Sequence, residues 1–441
     1  MMQTPIQREH VEAAIAMIPL PAIARANPSE VACLVNAIEG LSGTKFVHLE
    51  EGVPGAIPTT IGIAAEIEAL ESGVAQHYPP VEGLPELKTE VSAFIRNYLG
   101  VDVSPKGCIP TVGAMQGSMA AFLLTNRCHR HKDTILLIDP GFPVQKQQLR
   151  MLGMKYRSFD MYRYRGSKLK AILDEMLGPG DVSTIAFSNP TSPSWLCLTE
   201  QELSIIGSEA SRADVIVLED MAYLGMGSRK GSPTPSQPPL QHSIANYTHN
   251  WIMLLSGSKA FGYAGQRVGC MVVSNDLWTS EFPNLLQYFA TSQFGYAMAH
   301  GGVYSLSSGV CQSAQYGFAA ILRSANNGDF PNFQAPKDHE MLANHIKRIF
   351  TACGFDLLPC HHDCTPNSEG IHFTVTYPGF TGAELHKELL YYGISTLALH
   401  NSGCENGSGV KVCTHKMHEF EIPLLEQRLA LFYQQHPPIL L

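Results

Sequence analysis

The sequence has no apolar run of the roughly 20 residues that a membrane-spanning helix needs, and its first residues do not resemble a secretory leader. Basic residues are also scarce: 30 Lys and Arg stand against 39 Asp and Glu, for a formal net charge of -9. Binding to nucleic acid or to an anionic membrane depends on clustered positive charge. These absences predict a cytoplasmic protein that has neither partner and that acts on a small molecule.

Several sequence motifs are missing as well. The eleven cysteines are odd in number and lack the spacing of a disulfide framework, which favours a reducing compartment. There is no Walker A motif, and "GMGSRKG" (225–231) does not have the G-x-G-x-x-G spacing of nicotinamide enzymes. The stretch "CHHDC" (360–364) lacks the second ligand pair typical of a zinc site, so no metal site is expected.

Short apolar runs alternate with helical patterns, which is typical of an α/β fold with a mostly parallel sheet flanked by helices. The predicted strands are 133–139, 182–188, 214–219, 251–255 and 269–274, and a helix is predicted over 199–213. Beyond residue 325 the pattern changes to that of a smaller α+β domain. We expect an N-terminal segment (1–48) that packs with the small domain, a large domain (49–325) and the C-terminal small domain (326–441).

Three polar residues directly follow predicted strands or lie a few positions beyond one. Asn189 follows the second run, Asp220 the third, and Lys259 lies in the loop after the fourth. Ligands of open α/β sheets bind beyond the carboxyl ends of the strands. The three side chains are therefore expected to converge on one crevice.

The loop "LLSGSKAFGYAGQRVG" (254–269) holds one lysine and one arginine among small residues. A lysine amine can attack a carbonyl carbon. Ser256, Arg267 and the N-terminus of a helix within "PTVGAMQGSMAAFLL" (110–124) could bind a phosphate. Asp220 could pair with a pyridinium nitrogen. Together these groups fit pyridoxal phosphate, although each also has a plain structural interpretation: an exposed lysine, a strand-to-helix turn, a helix-capping aspartate.

Over nearly its whole length the chain resembles the fold-type I, class I/II aminotransferases, through "SGSKAFGYAGQRVG", "LEDMAY", "SNPTSPS", "TVGAMQG", "DPGFPV" and "YPPVEGLPELK". The resemblance implies that Lys259 binds the cofactor as a Schiff base. It also implies that Asp220 contacts the ring nitrogen and that Tyr223 and Asn189 contact the ring hydroxyl. The other implied cofactor contacts are Ser256 and Arg267, the backbone of Gly113, Ala114 and Met115, the ring of Phe142, and Tyr78 from a neighbouring subunit.

A homodimer with shared sites is thus implied, and so are substrate contacts from Asn189, from Gly52 in "LEEGVPGAIP" (49–58), and from Lys411. Two departures from the family pattern stand out. The asparagine motif usually reads N-P-x-N-P-T-G, whereas this chain continues through Ser192 to Trp195. Lys411 takes the place of the arginine that grips the substrate carboxylate. A lysine supplies the charge without the two-pronged hydrogen bonding of a guanidinium.

The resemblance implies transfer of an amino group between an amino acid and a 2-oxo acid. The same residue set also serves lyases and decarboxylases that use this cofactor. A third alternative, a regulator that binds the cofactor without turnover, usually carries a DNA-binding module, and we find none in the sequence.

Overall fold

The computed structural model describes residues 4–17, 23, 26–50, 60–191, 197–225, 235, 240–330, 337–358, 372–399, 409–414 and 417–438. Its helices are α1 Arg8–Met17, α2 Pro28–Ser42, α3 Thr60–Glu71, α4 Pro85–Leu99, α5 Gly113–Thr125, α6 Pro143–Met151, α7 Lys168–Leu177, α8 Glu200–Arg212, α9 Asn275–Thr279, α10 Phe294–Tyr296, α11 Tyr304–Ser307, α12 Gln312–Asn326, α13 Lys337–Ala352, α14 Gly382–Tyr391 and α15 Ile422–Gln435. Its strands are β1 Val47–His48, β2 Cys108–Thr111, β3 Thr134–Asp139, β4 Lys155–Asp160, β5 Val182–Ser188, β6 Ile216–Asp220, β7 Trp251–Ser256, β8 Gly269–Val273, β9 Asp356–Leu358, β10 His372–Thr376, β11 Ile394–Ser395, β12 Leu397–Ala398 and β13 Gly409–Cys413.

The chain divides into two compact units. One comprises Ala56–Thr191 and Leu196–Gln334, and the other includes Met1–Gly55 and Ala335–Leu441. The domain boundaries that we predicted after residues 48 and 325 stay predictions. In the parts of the chain described above, no helix is both long and apolar enough to cross a membrane.

The larger unit is built on a seven-stranded sheet of order β2-β8-β7-β6-β5-β3-β4. Its strands run parallel except β8, which is antiparallel to both neighbours. Every residue of β3, β5, β6, β7 and β8 is buried. Strands covered on both faces read as continuous apolar runs, which is why the sequence located these five to within two residues. The predicted α/β class is confirmed.

Strand β4 was not predicted from the sequence. It pairs with β3 at the edge of the sheet, and its first four residues are exposed or half-buried. Only its last two residues are buried, so most positions of the sequence KYRSFD do not have to be apolar, and no apolar run results. An edge strand of this kind carries charged side chains and gives little hydrophobic signal.

The two faces of the large sheet pack against separate hydrophobic clusters. Ile185, Val217 and Met253 belong to one cluster, whereas their chain neighbours Ala186, Leu218 and Leu254 belong to the other. This alternation follows from the two-residue repeat of a strand. The strands are therefore held from both sides, and the loops at their carboxyl ends start from fixed positions.

The smaller unit contains an antiparallel sheet of order β12-β13-β10-β9, and its predicted helices correspond to α13, α14 and α15. The N-terminal part of the chain joins this unit through β1, which pairs in parallel with β11. Ile6 N donates to the Tyr391 carbonyl at 3.1 Å, and Arg8 forms an ion pair with Glu388 at 2.7 Å. The first 50 residues and the C-terminal residues thus share one core.

Arg428, on α15, links these two parts of the smaller unit. Its side chain is buried, and its guanidinium donates to the carbonyl oxygens of Gly393 and Lys45, both at 2.5 Å. Gly393 precedes β11 and Lys45 precedes β1, so a single side chain fixes the two segments that form the parallel pair. Burial lowers the pKa of Arg428 to about 10, so the side chain still carries its charge at neutral pH.

We predict that Arg428→Met lowers the thermal and urea unfolding midpoints. Methionine fills part of the space but removes two hydrogen bonds from a charged donor, one to the Lys45 carbonyl and one to the Gly393 carbonyl, which keeps its bond from Val47 N, at a cost on the order of 3 kcal/mol. The matched control is Arg348→Met, which removes an exposed arginine of the same unit that bonds to Asn344 of its own helix. Equal midpoints for the two variants would contradict the role assigned to Arg428.

Candidate active site

The ends of three adjacent parallel strands bring the predicted site residues together. Asp220 ends β6 and lies opposite Ser188 of β5 and Leu254 of β7 in the strand register. Asn189 follows β5, and its N–H donates to the Asp220 carbonyl at 2.9 Å. Ser256 ends β7. The structure therefore places these residues at one edge of the sheet.

The carboxylate of Asp220 is buried, with 5% of the residue exposed. It accepts hydrogen bonds from the Ala222 N–H at 3.0 Å and from Gln145 Nε2 at 2.9 Å. Among the residues that the structure describes, no lysine or arginine forms an ion pair with it. Burial raises the pKa of Asp220 to about 6. A buried carboxylate with neutral donors is poised to pair with a cation, which is the property required of a partner for a pyridinium nitrogen.

Gln145 is a further residue of the candidate site that the sequence motifs did not indicate. It lies in the first turn of α6, three residues after Phe142, which is the N-cap of that helix. The available signal was its spacing of about one helical turn from the aromatic residue of "DPGFPV". The structure places Phe142, half-buried, after the end of β3, and its predicted contact with the cofactor ring stays a prediction.

Lys259 and Tyr223 are close to each other, with Lys259 Nζ 5.6 Å from the centre of the Tyr223 ring. Both side chains are half-buried. The lysine loop is closed by backbone hydrogen bonds from Gly262 N to the Lys259 carbonyl (3.0 Å) and from Tyr263 N to the Gly257 carbonyl (2.9 Å). Residue 257 has to be small, because a Cβ there would lie 2.9 Å from the Val268 carbonyl oxygen.

Arg267 lies against the start of α5. Gly113, the first residue of that helix, has φ +66°, and a Cβ on it would come within 2.8 Å of Arg267 Nη2. Arg267 itself occupies the left-handed region at φ 50°, an uncommon conformation for a non-glycine residue. Its Nη1 donates to the Ala264 carbonyl at 2.9 Å and to Ser258 Oγ at 3.3 Å.

The N–H groups of the first turn of α5 have no acceptors within the helix. They belong to Gly113, Ala114 and Met115, and the N-cap residue, Val112, provides no side-chain cap. A guanidinium beside such a helix start forms a site suited to a phosphate. Ser256 is buried nearby on β7, opposite Gly269, and its Oγ accepts from Ser258 N at 3.1 Å.

Asn189 is fully buried and held by the protein. Its amide donates to Glu219 Oε1 at 2.7 Å and to the His242 carbonyl at 3.1 Å, while its oxygen accepts from Leu198 N at 3.2 Å. These bonds use both amide hydrogens and fix the corner after β5. The predicted contacts of Asn189 with the ring hydroxyl and with substrate stay predictions. Burial raises the pKa of its partner Glu219 to about 7.

Of the remaining predicted residues, Tyr78 and Lys411 are among those that the structure describes. Tyr78 is 90% exposed. Lys411 is half-buried on β13 in the smaller unit, paired with Thr374 and Leu397. Gly52, the departure at 192–195 and the stretch 360–364 lie outside the described residues.

Comparison with known proteins identifies one family. The chain matches the family Aminotransferase class I and II over residues 45–419. It is 27% identical over 264 residues to a valine–pyruvate aminotransferase of Mycobacterium tuberculosis, a match that covers 56% of this chain and 64% of that protein, slightly under two thirds. It is 23% identical to a probable aspartate aminotransferase of Methanocaldococcus jannaschii, over 72% of this chain and 77% of the relative.

Solved structures show the same fold. An aspartate aminotransferase of Thermus thermophilus superimposes with a TM-score of 0.72 at 15% identity, covering 97% of this chain and 99% of the other. An alanine aminotransferase of Pyrococcus furiosus gives a TM-score of 0.72 at 16% identity, covering 92% and 97%. The chain therefore belongs to the class I and II aminotransferase family, whose members have fold type I and depend on pyridoxal phosphate.

Proposed function

We propose that this protein is an aminotransferase that binds pyridoxal phosphate and moves an amino group between an amino acid and a 2-oxo acid. The observation that carries the proposal is the buried carboxylate of Asp220, which has neutral donors and lies at the same sheet edge as Lys259. The residues present fit the cofactor. Asp220 suits its ring nitrogen, and Arg267 with the start of α5 suits its phosphate.

Each residue then has a distinct task. Arg267, Ser256 and the N–H groups at the start of α5 would hold the phosphate. Lys259 would bind the cofactor aldehyde covalently and Asp220 would pair with the ring nitrogen. Tyr223, whose ring lies 5.6 Å from the lysine amine, would donate to the ring hydroxyl. Gln145 and the Ala222 N–H orient the carboxylate of Asp220.

The bound cofactor supplies an electron-accepting ring that stabilises negative charge at the α-carbon of the amino acid. The protein would supply the proton transfers, because the Lys259 amine is the base that would remove a proton at the α-carbon of the substrate and return one. A cation beside Asp220 favours the ionised carboxylate and lowers its raised pKa. Asp220 would therefore favour a protonated ring nitrogen in the bound cofactor.

We also infer a cytoplasmic protein, because the eleven cysteines of the sequence are odd in number and lack the spacing of a disulfide framework, as expected in a reducing compartment.

The reaction class is tested with the purified protein, pyridoxal phosphate and a panel of amino acids, with 2-oxoglutarate and pyruvate as acceptors. We expect keto acid to form at the expense of the acceptor, and pyridoxamine phosphate to accumulate when no acceptor is added. Lys259→Ala should abolish both signals because it removes the amine that moves the proton. Release of ammonia or carbon dioxide without an acceptor would instead assign the protein to the lyases or decarboxylases, and cofactor binding with no turnover of any amino acid would support a regulator.

The role of Asp220 predicts the behaviour of Asp220→Asn. The variant should bind pyridoxal phosphate but lose about 100-fold in kcat/KM, or ~3 kcal/mol, because a neutral amide cannot hold the ring nitrogen protonated. Steady-state kinetics and cofactor titration measure these effects.

Apoprotein stability adds a second readout for Asp220. Since burial raises the pKa of Asp220 to about 6, the folded apoprotein should lose stability as pH rises from about 4 to 6, and Asp220→Asn should lack the part of that loss that Asp220 contributes. The control is Asp139→Asn, which changes another buried strand-end aspartate with a pKa raised to about 6, held by Lys146 at 2.5 Å. This control should lower stability and keep near-wild-type kcat. Near-normal turnover in Asp220→Asn would exclude the proposed role.

We further propose a homodimer with shared active sites. Tyr78 is 90% exposed in the single chain, as expected of a residue that serves a neighbouring subunit. Large apolar side chains are also exposed along one stripe of α3, formed by Ile63, Ile67 and Leu70 at helical spacing. Contact with a second copy of the chain would remove this stripe from water.

Subunit mixing tests the shared site. Lys259→Ala and Tyr78→Phe chains should each be impaired, and an equal mixture of exchanging subunits should recover about one quarter of the wild-type activity. This fraction is expected because half of the dimers are hybrids and one of their two sites is intact. Mixing Lys259→Ala with the Lys259→Ala/Tyr78→Phe double variant is the control and should recover nothing. If exchange is shown and the first mixture stays inactive, Tyr78 serves its own subunit.

A further inference from the structure

Tyr263 lies in the lysine loop, four residues after Lys259, and only 2% of it is exposed. Its hydroxyl leaves the loop and reaches α3, where it donates to Glu66 Oε2 at 2.5 Å, with the Gly62 carbonyl oxygen also within 3.2 Å. Burial, together with the hydrogen bond to Glu66, raises the pKa of the Tyr263 hydroxyl above its ordinary value. The hydroxyl therefore stays protonated and acts as a donor.

Two glycines make room for this tyrosine. A Cβ on Gly317 of α12 would lie 2.2 Å from the Tyr263 hydroxyl oxygen, and a Cβ on Gly62 of α3 would lie 2.6 Å from Ile321 Cδ1 of α12 and 3.3 Å from Tyr263 Cε2. Neither glycine has a positive φ, so the close approach of neighbouring side chains, rather than the backbone conformation, calls for glycine there: the Tyr263 hydroxyl at Gly317, and Ile321 with the Tyr263 ring at Gly62. The surroundings of Tyr263 thus form a close-fitting pocket between α3 and α12.

Glu66 is held from its other side as well. Its Oε1 accepts a hydrogen bond from Ser313 Oγ of α12 at 3.0 Å, and Ser313 is buried. Each carboxylate oxygen therefore binds a different element, one the lysine loop and the other α12. The bond from Ser313 holds the Glu66 carboxylate in position independently of Tyr263, so Glu66 can anchor the tyrosine.

Backbone hydrogen bonds connect Tyr263 to the loop that carries Lys259. Its N–H closes the loop onto the Gly257 carbonyl at 2.9 Å, and the adjacent Gly262 N–H binds the Lys259 carbonyl at 3.0 Å. Gly257 is in turn tied to the Val268 carbonyl at 3.1 Å. A displacement of Tyr263 would strain the two hydrogen bonds that define the lysine loop.

We propose that Tyr263 and Glu66 are positioning residues that hold the lysine loop, and with it the Lys259 amine, in the place where the cofactor aldehyde is captured. Neither residue touches the reacting atoms, and both act through the loop. This inference rests on the proposed function, because it takes Lys259 as the residue that binds pyridoxal phosphate.

Amide hydrogen exchange of the apoprotein tests the anchoring without any activity measurement. Tyr263→Phe keeps the ring and removes the hydroxyl, and it should speed exchange across 257–263 by about tenfold, because a hydrogen bond to a charged acceptor is lost. Glu66→Ala should do the same. Glu66→Gln should stay close to wild type, because its amide oxygen still accepts from Tyr263.

The matched control is Tyr391→Phe in the smaller unit. Tyr391 is also 2% exposed and also donates to a glutamate, Glu12 Oε1, at 2.5 Å. This variant loses the same kind of bond and should leave exchange in 257–263 unchanged. A rise there in Tyr391→Phe would show that general destabilisation, and not the anchor, controls the loop.

Capture of the cofactor gives the second readout. Apoprotein is mixed with pyridoxal phosphate, quenched with borohydride at set times, and the adduct on Lys259 is quantified by mass spectrometry. Capture should be about tenfold slower in Tyr263→Phe and in Glu66→Ala, and the double variant should be no slower than either, because both remove one interaction. Tyr391→Phe should capture at the wild-type rate.

The outcomes separate the two proposals. A wild-type protein that forms no adduct on Lys259 would overturn the proposed function. A wild-type adduct on Lys259, with wild-type exchange and wild-type capture rates in Tyr263→Phe and Glu66→Ala, would overturn only the positioning role. Fully additive losses in the double variant would also overturn it, because they would mean that the two residues act separately.

Discussion

The candidate site depends on one buried negative charge. Asp220 ends a strand that is covered on both faces, and its carboxylate has two neutral donors, Gln145 and the Ala222 N–H. Desolvation penalises the charged form of such a carboxylate and raises its pKa to about 6. A cation brought next to it removes this penalty. The apoprotein therefore holds an unfavourable group that becomes favourable when the proposed cofactor is bound.

The surrounding loops set the other contacts by close approach of backbone. Gly113 at φ +66° lets the guanidinium of Arg267 come up to the start of α5, and Gly257 lets the lysine loop pack against the Val268 carbonyl. Side chains at these two positions would separate the elements that carry the proposed phosphate site and the lysine. The two glycines thus allow the close packing of these loops, and the polar residues provide the groups that we assign to the cofactor.

Helix α3 has two different faces in this arrangement. Its inner face presents Glu66 to Tyr263 of the lysine loop, and its outer face carries the exposed stripe of Ile63, Ile67 and Leu70. The same helix therefore supports the lysine loop and offers the surface that we assign to the second subunit. Ser313 of α12 also binds Glu66, so the inner face of α3 is held by two elements, the lysine loop and α12.

The sequence by itself located five of the seven strands of the large sheet, because β3, β5, β6, β7 and β8 are buried on both faces and read as apolar runs. It also indicated Asp220 and Lys259, because strand ends and small-residue loops are local features. The polar edge strand β4 was not predicted from the sequence, because half-exposed strands lack such apolar runs. Tertiary structure alone decided the partners Gln145, Glu66 and Arg428, which act over 75, 197 and up to 383 residues. Contacts between residues so far apart along the chain depend on how the chain packs, and a local sequence pattern does not indicate them.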